Sequence, residues 1–554
     1  MNKKVCSFPI LFALLALLIG TCAVVFPASA QAAPTSTGSI TVSGTVARSY
    51  DAYQIFSANV VDGDSDAKIA TDLAWASDAV RDVALPVLHS AGMPNSQTTA
   101  QEAAEWLNAD SHLTSALSAQ LARSLQSSGT ASRALNAGTA AELPCGYWLI
   151  VADDDAIAQN EAGTAPIMAL VGGSAVTVKP KAATPKVSKH VLEDSTAAWQ
   201  KAADATVADD LYWRLSATVP AGLTAYDTYA VQFVDTMSAG LDPSKVAASM
   251  RVYVAAGADG GFGAVSAGKD GRAGTEPAKG WTDITAQCRV SVDGKTFTVR
   301  TGDLIAALGG TDTFTAGARV VAVYNAPLNS ACNHGIAKGN PNEVYLRYPR
   351  SPLADQSGDA GFTRTPSDDA CVYTWDLALT KRGSDGDKPL AGAVLSIADD
   401  RGRTLAADGT WDAEGKATVT TGEDGRVTVS GVDSGKLEVR ELKAPKGYTA
   451  FEGVRSVTVK AEGLDVDQVA AAKPKLTITA ESPLRADSAD GSTGSLEASI
   501  INTPTGTPPS ITTGGFMPLT GDMAIYAVAA AAVAGAALIV VALLVKRGGG
   551  SHKE

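Results

Sequence analysis

Apolar and polar residues alternate in short runs along most of the chain, and this pattern predicts many short β-strands. In the first part of the chain, the predicted strands cover residues 39–46, 50–56, 146–151, 167–171 and 175–178. From about residue 66 to 127 the pattern is helical, and Thr99 with Glu102 predicts a capping box ahead of one helix. A mixed α+β domain is therefore expected at the N-terminal end.

The chain up to about residue 505 continues with strand patterns separated by Gly, Pro, Asn and Asp turns. In the second segment these patterns cover residues 211–217, 230–234, 296–300, 318–324 and 344–348. In the third segment they cover residues 374–380, 393–397, 417–420, 436–440, 456–459, 476–479 and 496–501. Short strands at this spacing are typical of β-sandwiches. The expected fold class is therefore mainly β, with tandem Ig-like β-sandwich domains.

The N-terminal residues 1–33 have the pattern of a secretory signal peptide. Lys3 and Lys4 precede an apolar run over residues 9–26, and the small residues at 28–30 offer a cleavage site. Cleavage after Ala33 fits nearly as well, so both positions stay open. The mature chain is expected outside the cytosol.

A second apolar run, residues 523–545, predicts one C-terminal transmembrane helix. It contains no charge, and its 23 residues would span roughly 34 Å as a helix, which is enough to cross a bilayer. Lys546 and Arg547 follow it, which assigns the tail 546–554 to the cytoplasm. The run is preceded by a flexible linker, 506–516, and by a pentapeptide made of Met517, Pro518, Leu519, Thr520 and Gly521.

Length and charge limit the classes of protein that remain. The chain has 554 residues, 45 of them basic and 58 acidic, and its net charge is −13. A hydrophobic content of 45% excludes a disordered chain, and the acidic balance argues against nucleic acid as a partner. The length allows an N-terminal domain over 34–179, a middle domain over 180–370 and a C-terminal domain over 371–505.

Signal-peptide removal leaves four cysteines, an even number that permits two disulfides in an oxidising space. Cys288 and Cys332 are candidates for one pair because they would lie within one domain. The pairing among these two, Cys145 and Cys371 stays open.

The motifs for a metal, a cofactor or a conventional active site are incomplete. The five histidines are scattered, and the phosphate-loop-like run from Gly263 to Lys269 lacks the Ser or Thr that would hold magnesium. The acidic run beginning at Asp62 lacks the Gly and Glu of a calcium loop. No metal, no cofactor and no enzymatic turnover are therefore expected.

The C-terminal arrangement resembles the LPXTG cell-wall sorting signal of Gram-positive bacteria, in which a hydrophobic span and a basic tail follow the pentapeptide. Met517 stands where that signal has Leu, and both side chains are apolar. The resemblance implies that a sortase cysteine attacks the carbonyl of Thr520, breaks the bond to Gly521 and forms a thioacyl enzyme. The linker before the motif would let it reach the enzyme's groove.

Residues 437–448 resemble the E-box of Gram-positive pilins, because Glu441, Ala444, Pro445, Gly447 and Tyr448 match its pattern while Leu442 replaces Thr. Residues 377–397 resemble the first two strands of a Cna-B-type Ig-like domain, and residues 500–504 resemble its last strand. In that family, a Lys of the first strand and an Asn of the last strand join in a self-formed isopeptide bond. The resemblance implies Lys381 and Asn502 as the joined residues, with Glu441 as the catalyst.

Physical chemistry supports this assignment. A lysine buried between sheets loses solvation, so its pKa falls and the neutral amine becomes nucleophilic. A buried carboxyl has a raised pKa and can polarise the Asn carbonyl and shuttle protons. Folding holds the amine and the carboxamide in contact, which supplies a large effective molarity.

The middle domain resembles the middle domain of the same pilins. Residues 185–189 resemble its first strand and residues 233–237 resemble the stretch that holds the catalytic Asp, which implies Lys189 and Asp235. Residues 339–346 resemble the last-strand region of that family, which implies Asn342 as the acceptor, with Asn325 and Asn340 as alternatives.

Residues 178–181 resemble the pilin motif V-Y-P-K, with Lys179 in place of Tyr. The implied role of Lys181 is to attack the Thr520 thioacyl enzyme of another subunit. A linker between domains would keep this lysine accessible, and Lys179 and Lys186 are close enough to compete.

Together these features predict the major shaft subunit of a covalent fimbria that is secreted, anchored to the wall and held transiently in the membrane as a precursor. The expected partners are sortase, identical pilin subunits, minor pilins and peptidoglycan, while a host surface ligand is left open. The alternatives are a monomeric wall-anchored adhesin that binds host matrix or glycan, and a minor pilin at the tip or base.

Overall fold

The computed structural model describes residues 36–506, apart from residues 45–47, 65–66, 110, 182, 221–222, 258–279 and 311–316. The predicted signal peptide, sorting pentapeptide, transmembrane helix and cytoplasmic tail lie outside the described residues. Within the described residues, no helix combines the length and the apolar character needed to cross a bilayer. The strands fall into an N-terminal module (37–178), a middle module (186–373) and a C-terminal module (375–504).

The N-terminal module combines sheets with helices, as expected. Its elements are β1 (Thr37–Val42), β2 (Ser49–Asp62), β3 (Lys68–Trp75), α1 (Asp78–Ser90), α2 (Ala100–Asn108), α3 (Ser115–Ser127), β4 (Arg133–Asn136), β5 (Ala140–Pro144), β6 (Gly146–Ala152), β7 (Ile167–Val171) and β8 (Val176–Val178). One sheet has the order β5-β1-β8, and the other has the order β3-β2-β6-β7 with β4 also paired to β2.

The helical region of this module is shorter than the sequence pattern predicts. Residues 68–75 form strand β3, which pairs antiparallel with β2, and the first helix begins at Asp78. Pairing with the long strand β2 therefore outweighs the helical pattern of the local sequence. The predicted capping box is confirmed, because Thr99 accepts from the Glu102 amide at 3.2 Å and Glu102 accepts from the Thr99 amide at 3.0 Å.

The middle module is built from two sheets that face each other. Its elements are β9 (Lys186–Glu193), β10 (Ala198–Gln200), β11 (Ala202–Asp204), β12 (Tyr212–Val219), β13 (Gln232–Met237), α4 (Val246–Ser249), β14 (Arg251–Ala256), β15 (Thr282–Asp283), β16 (Arg289–Asp293), β17 (Thr296–Arg300), α5 (Leu304–Ala307), β18 (Ala318–Asn325), β19 (Asn340–Pro349), β20 (Phe362–Arg364) and β21 (Asp368–Tyr373). The sheet orders are β10-β9-β12-β18-β14-β15 and β11-β21-β19-β13-β17-β16, with β20 also paired to β19.

The C-terminal module is a second sandwich. Its strands are β22 (Trp375–Gly383), β23 (Val394–Ala398), β24 (Thr404–Leu405), β25 (Trp411–Asp412), β26 (Val419–Thr420), β27 (Arg426–Val432), β28 (Gly435–Lys443), β29 (Tyr448–Thr449), β30 (Arg455–Glu462), β31 (Lys475–Ala480), β32 (Leu484–Asp490) and β33 (Ser495–Pro504). One sheet has the order β27-β22-β33-β29 with β32 on β33, and the other has the order β25-β24-β23-β28-β30-β31 with β26 on β23. The first and last strands, β22 and β33, are parallel neighbours.

The boundary between the last two modules falls later than the sequence suggests. Strand β21 pairs with β19 and β11 and so carries the middle module to Tyr373, beyond the expected end at 370. Strand β22 begins the next module at Trp375. Only Thr374, which is fully buried, stands between the two strands.

Each module has its own apolar core, and the two sandwiches bury lysines in theirs. Lys189 and Lys381 are among the largest side chains with less than 2% exposure. A lysine is almost never fully buried unless it is paired. Each of these two lysines is therefore expected to have a charged or polar partner between the sheets.

Candidate functional site

In the C-terminal module, strands from both sheets bring together a lysine, a carboxylate and an asparagine. Lys381 lies on β22 and Asn502 on the adjacent parallel strand β33, with Gly383 opposite Asn502 in the register. Glu441 lies on β28 of the facing sheet. The inward side of each strand carries its polar residue into the space between the sheets.

The three side chains are in direct contact and are shielded from water. Lys381 Nζ lies 3.0 Å from Glu441 Oε1 and also donates to Asn502 Oδ1. Asn502 Nδ2 donates to the same Glu441 oxygen at 2.9 Å, and the Phe451 amide donates to Glu441 Oε2 at 3.0 Å. The Phe451 ring covers the amine, with its centroid 5.5 Å from Nζ. The carboxylate thus touches both of the groups that would react.

Burial changes the proton affinity of this lysine. It lowers the pKa of Lys381 from 10.5 to about 8, although the neighbouring Glu441 works in the opposite direction. A substantial fraction of the amine is therefore neutral near pH 8. A neutral amine in contact with a carboxamide is arranged for nucleophilic attack on the amide carbon.

The middle module has a related group that joins its two sheets. Lys189 on β9, Trp213 on β12 and Tyr324 on β18 belong to one sheet. Asp235 on β13 and Asn342 on β19 belong to the other sheet. Lys189, Asp235 and Asn342 are all fully buried.

The Tyr324 hydroxyl lies at the centre of this group. Lys189 Nζ donates to Asp235 Oδ2 and, at 2.9 Å, to the Tyr324 hydroxyl. The hydroxyl donates to Asp235 Oδ2 at 3.0 Å and accepts from Asn342 Nδ2 at 2.8 Å. Trp213 covers the amine, with its ring centroid 5.3 Å from Nζ. Lysine and asparagine are therefore bridged by a phenol, whereas in the C-terminal module they touch.

Burial again sets the proton affinities. It lowers the pKa of Lys189 to about 8, against the pull of Asp235. It raises the pKa of Asp235 and raises that of Tyr324 far above its usual range. Each shift favours the neutral form, so the group is suited to an amine nucleophile beside a protonated carboxyl.

Of the asparagines considered from the sequence, only Asn342 lies in this group. Asn325 accepts from the Leu211 amide at 3.1 Å and donates to Asp210 Oδ1 at 2.7 Å. Asn340 exchanges hydrogen bonds with the Asn333 backbone at 2.8 and 2.9 Å. Asn342 Oδ1, by contrast, is buried without a hydrogen-bond partner.

Sequence reasoning missed the aromatic residues of both groups. Tyr324 ends an apolar run over residues 318–324, and Phe451 follows the E-box-like segment, so each fits the pattern of an ordinary core residue. Only the packing of one sheet on the other gives Tyr324 its central position. Asn342 also differs from the expectation in one respect, because β20 and β21 follow its strand and it is not on the last strand.

The lysines at the first junction are exposed. Lys179, Lys181 and Lys186 all face solvent, and Lys181 lies between β8 and β9, outside any strand. An exposed amine keeps its solvation, unlike the two buried lysines. Thr520 and the other residues of the pentapeptide lie outside the described residues.

The candidate pair of Cys288 and Cys332 is not bonded in this structure, where the four cysteines of the described residues are free. Cys288 Sγ lies 3.3 Å from the Ile284 carbonyl oxygen, and Cys332 Sγ lies 3.5 Å from His334 Nε2. The two thiols therefore face different neighbours in this structure.

The incomplete motifs gain no support as binding sites. Asp62 accepts from the Ser174 amide at 2.8 Å and pairs with Lys68, as a carboxylate in an ordinary surface turn does. The segment from Gly263 to Lys269 lies outside the described residues. Among the residues that the structure describes, no group of three or more His, Cys, Asp or Glu side chains is arranged to hold a metal ion.

Comparison with known proteins assigns the C-terminal module to a class. Residues 376–473 match the family described as SpaA, a prealbumin-like fold domain. The matched segment contains Lys381 and Glu441 and ends before Asn502. The fold class predicted from the sequence, mainly β with tandem Ig-like β-sandwich modules, is confirmed.

Particular relatives come from Gram-positive bacteria. The chain is 31% identical over 134 residues to the trypsin-resistant surface T6 protein of Streptococcus pyogenes serotype M6, and the match covers 23% of this chain and 23% of that protein. The chain thus aligns with about a quarter of the length of that curated relative. The predicted resemblance to Gram-positive pilins is confirmed.

Solved structures of pilins are similar to most of the chain. The T6 backbone pilin of serotype M6 Streptococcus pyogenes is 17% identical with a TM-score of 0.45, covering 86% of this chain and all of that one. The major pilin SpaD of Corynebacterium diphtheriae is 15% identical with a TM-score of 0.41, again covering 86% and 100% of the two chains. The major pilin BcpA of Bacillus cereus is 11% identical with a TM-score of 0.38, covering 85% and 99%.

Proposed function

We propose that this protein is the major shaft subunit of a covalently polymerised pilus on the surface of a Gram-positive bacterium. The observation that carries the proposal is the pair of buried groups of lysine, acid and asparagine, one in each sandwich. The match of residues 376–473 to the SpaA family supports it. The internal bonds and the joining of subunits are parts of the same proposal.

In the C-terminal module, the proposed reaction is attack of Lys381 Nζ on Cγ of Asn502. The new C–N bond replaces the bond to Nδ2, and that nitrogen leaves as ammonia. Glu441 touches both nitrogens, at 3.0 and 2.9 Å, so it can take the proton from the amine and give it to the leaving group. Each lysine reacts once, so this is autocatalytic bond formation without turnover, and no cofactor is required.

In the middle module, Lys189 would react with Asn342 and Asp235 would carry the proton. The Tyr324 hydroxyl touches all three residues and can relay the proton between the acid and the amide. A turn of the Asn342 side chain that presents its oxygen to this hydroxyl would polarise the amide carbon. It would also give the unpartnered Asn342 Oδ1 a hydrogen bond.

The placement of the two bonds suits a fibre under tension. Pulling force that enters at Lys181 would pass from Lys189 to Asn342, and then from Lys381 to Asn502, along covalent bonds. The residues enclosed by each bond would be shielded from the force. Such bonds raise the barrier to unfolding and act on kinetic stability.

Polymerisation would use the exposed Lys181 of one subunit and Thr520 of the next. In this proposal sortase holds the Thr520 acyl group as a thioester, the Lys181 amine displaces the enzyme cysteine, and an isopeptide bond joins the subunits. Exposure of Lys181 between two modules supports its role as the acceptor. Transfer of the growing chain to peptidoglycan would anchor the fimbria in the cell wall, with minor pilins at its ends.

The test is polymerisation of the purified protein by a pilus sortase, read as a ladder on a denaturing gel. Lys181→Ala should abolish the ladder, whereas Lys179→Ala and Lys186→Ala should leave it intact. A ladder that survives Lys181→Ala but fails with Lys179→Ala or Lys186→Ala would move the acceptor to that residue. Absence of any ladder from the unmodified chain with its own organism's sortases would instead support a monomeric wall-anchored adhesin.

A further inference from the structure

A loop of the middle module docks on the C-terminal module and carries a cysteine and a histidine. The loop connects β18 to β19 and includes residues 329–339. Its Gly335 amide donates to the Thr374 carbonyl at 3.0 Å, and its Ile336 amide donates to the Gly491 carbonyl at 3.1 Å. The approach is close, because a Cβ on Gly335 would lie 2.5 Å from the Thr493 carbonyl carbon. The loop is thus held against the neighbouring module by its backbone.

Cys332, His334 and Asp376 form a continuous chain across this junction. Cys332 Sγ lies 3.5 Å from His334 Nε2, and His334 Nδ1 lies 2.7 Å from Asp376 Oδ1. Asp376 belongs to β22 of the C-terminal module and also accepts from the Gly431 amide at 3.2 Å. The carboxylate is therefore fixed by its own module and orients the imidazole of the other module.

This order of groups determines which ring nitrogen faces the sulfur. Asp376 accepts a hydrogen bond from the Nδ1–H group, so Nε2 is left to accept the proton of the Cys332 thiol. The hydrogen bonds to Asp376 and Cys332 raise the pKa of His334 to about 10, although burial opposes the rise. Proton transfer from Cys332 to His334 would give a thiolate beside an imidazolium, the arrangement that activates cysteine nucleophiles.

The other three cysteines within the described residues lack such a neighbour. Cys288 is more exposed than Cys332, but its thiol faces a backbone carbonyl, and burial raises its pKa to about 11. Burial also raises the pKa of Cys371 to about 11. Cys145 is 2% exposed and accepts a hydrogen bond from the Ser36 hydroxyl. Cys332 is 9% exposed, and the side chain of His334 keeps 27% of its surface open.

We propose that Cys332, His334 and Asp376 form a thiol-modification site that reacts with small disulfides outside the cell. The Cys332 thiolate would attack one sulfur of the disulfide, forming a mixed disulfide and breaking the S–S bond of the reagent. The departing thiolate would take the proton held by His334, so atoms, charge and electrons balance. This site goes beyond the proposed pilus function and does not depend on it.

Modification at this position would act on the junction between the modules. Space behind the cysteine is filled, since a Cβ on Gly240 would lie 2.6 Å from Cys332 Cα. An adduct on Sγ would lie beside the His334 imidazole, whose Nε2 is 3.5 Å from the sulfur. It would displace the imidazole from the sulfur and strain the loop that holds the two modules together.

The experiment measures the reaction of the mature chain, without the predicted signal peptide and its Cys6 and Cys22, solubilised in detergent, with 4,4′-dithiodipyridine. The released thiopyridone is followed by absorbance, and peptide mapping identifies the modified cysteine. Cys332 should react first, ahead of the more exposed Cys288. Its rate should persist at pH 6, where an ordinary thiol is almost entirely protonated.

His334→Gln and Asp376→Asn test the roles of the positioning residues. His334→Gln should lower the rate at pH 6 by about 10- to 100-fold and restore the steep pH dependence of a simple thiol. Asp376→Asn should give a smaller loss in the same direction, and Cys332→Ser should remove the fast phase. A general loosening of the junction would instead speed modification of every cysteine in both positioning variants.

The proposal is overturned by either of two results. One is a Cys332 that reacts no faster than Cys288, or equally fast in His334→Gln at pH 6. The other is peptide mapping of the non-reduced native chain that finds Cys332 quantitatively joined to Cys145, Cys288 or Cys371.

Discussion

Lys381 Nζ and Glu441 Oε1 lie 3.0 Å apart between the sheets of the C-terminal module, and both side chains are fully buried. A buried ion pair is costly to desolvate and contributes little net stability, so its presence needs another reason. Asn502 supplies that reason, because it touches both members of the pair. In the proposed function, this arrangement is the unreacted state of the isopeptide bond.

The mass of the folded protein is the most direct check on both bonds. Recombinant residues 34–515 should be lighter than the sequence mass by about 34 Da, because each bond releases one ammonia of about 17 Da. Peptide mapping should recover cross-linked peptides that contain Lys381 with Asn502 and Lys189 with Asn342. An unmodified mass would remove the self-cross-linking part of the proposal.

Removal of the C-terminal acid should prevent the bond and destabilise the module. Glu441→Gln leaves Lys381 buried without a carboxylate, so we expect a loss of roughly 3–5 kcal/mol in the free energy of unfolding. The bond should also be absent, giving one ammonia loss fewer by mass spectrometry. Thermal unfolding measures the first effect.

Glu438→Gln is the matched control for this prediction. Glu438 lies on the same strand, β28, but faces solvent and pairs with Lys436. A surface pair of this kind contributes little, so mass and melting temperature should stay unchanged. Equal effects of the two substitutions would show that the site of Glu441 has no special role.

The phenol of the middle module should be needed for its bond. Tyr324→Phe removes the hydroxyl that bridges Lys189, Asp235 and Asn342, while the ring still fills the core. We expect bond formation between Lys189 and Asn342 to become slow or incomplete, with the C-terminal bond unaffected. Mass spectrometry at intervals after refolding measures both.

Tyr345→Phe serves as the control for Tyr324→Phe. Tyr345 lies on β19, is partly exposed, and packs its ring 5.1 Å from the Arg364 guanidinium. Its loss of a hydroxyl should leave both bonds at full yield. If Tyr324→Phe also forms its bond at the normal rate, the phenol is only a packing element.

The free lysine should make stability depend on pH in a variant that cannot react. Asn502→Ala leaves Lys381 as an amine, with a pKa of about 8 in the folded chain against 10.5 when unfolded. Between these values the unfolded chain binds more protons, so the free energy of unfolding should rise as the pH increases from 8 to 10.5. The gain should be about 3 kcal/mol at most.

In the reacted wild type, Lys381 is part of an amide and cannot titrate. Denaturant unfolding of both proteins at pH 8 and pH 10 therefore measures the contribution of this one amine. Parallel pH dependence in the two proteins would mean that Lys381 is not the titrating group.

The local sequence was sufficient to single out a residue when the motif around that residue lies in one continuous segment. The segment 437–448 carries Glu441 with its surrounding motif and residues 377–397 carry Lys381, so local motifs singled out two residues that the structure places in contact. The capping box at Thr99 is equally local, because its hydrogen bonds span only three residues. Alternating apolar positions indicated the β class because a strand buries every second side chain.

Tertiary structure decided what depends on residues far apart in the chain. Residues 68–75 became a strand because β2 offers a partner edge, against their own helical pattern. Tyr324 looks like any core aromatic until the opposite sheet brings Asp235 and Asn342 to its hydroxyl.

The neighbours of the cysteines also depend on contacts between residues that are far apart in the chain. A shared domain made Cys288 and Cys332 candidates for a pair, and the sequence left the pairing open. In the structure, the loop 329–339 docks on the next module and brings Cys332 to His334 and His334 to Asp376. The sequence by itself thus determined the β class of the two sandwiches and the motifs that carry Lys381 and Glu441. Packing decided which side chains meet across the sheets and across the module junction. Contacts between residues that are far apart in the chain leave no local pattern in the sequence.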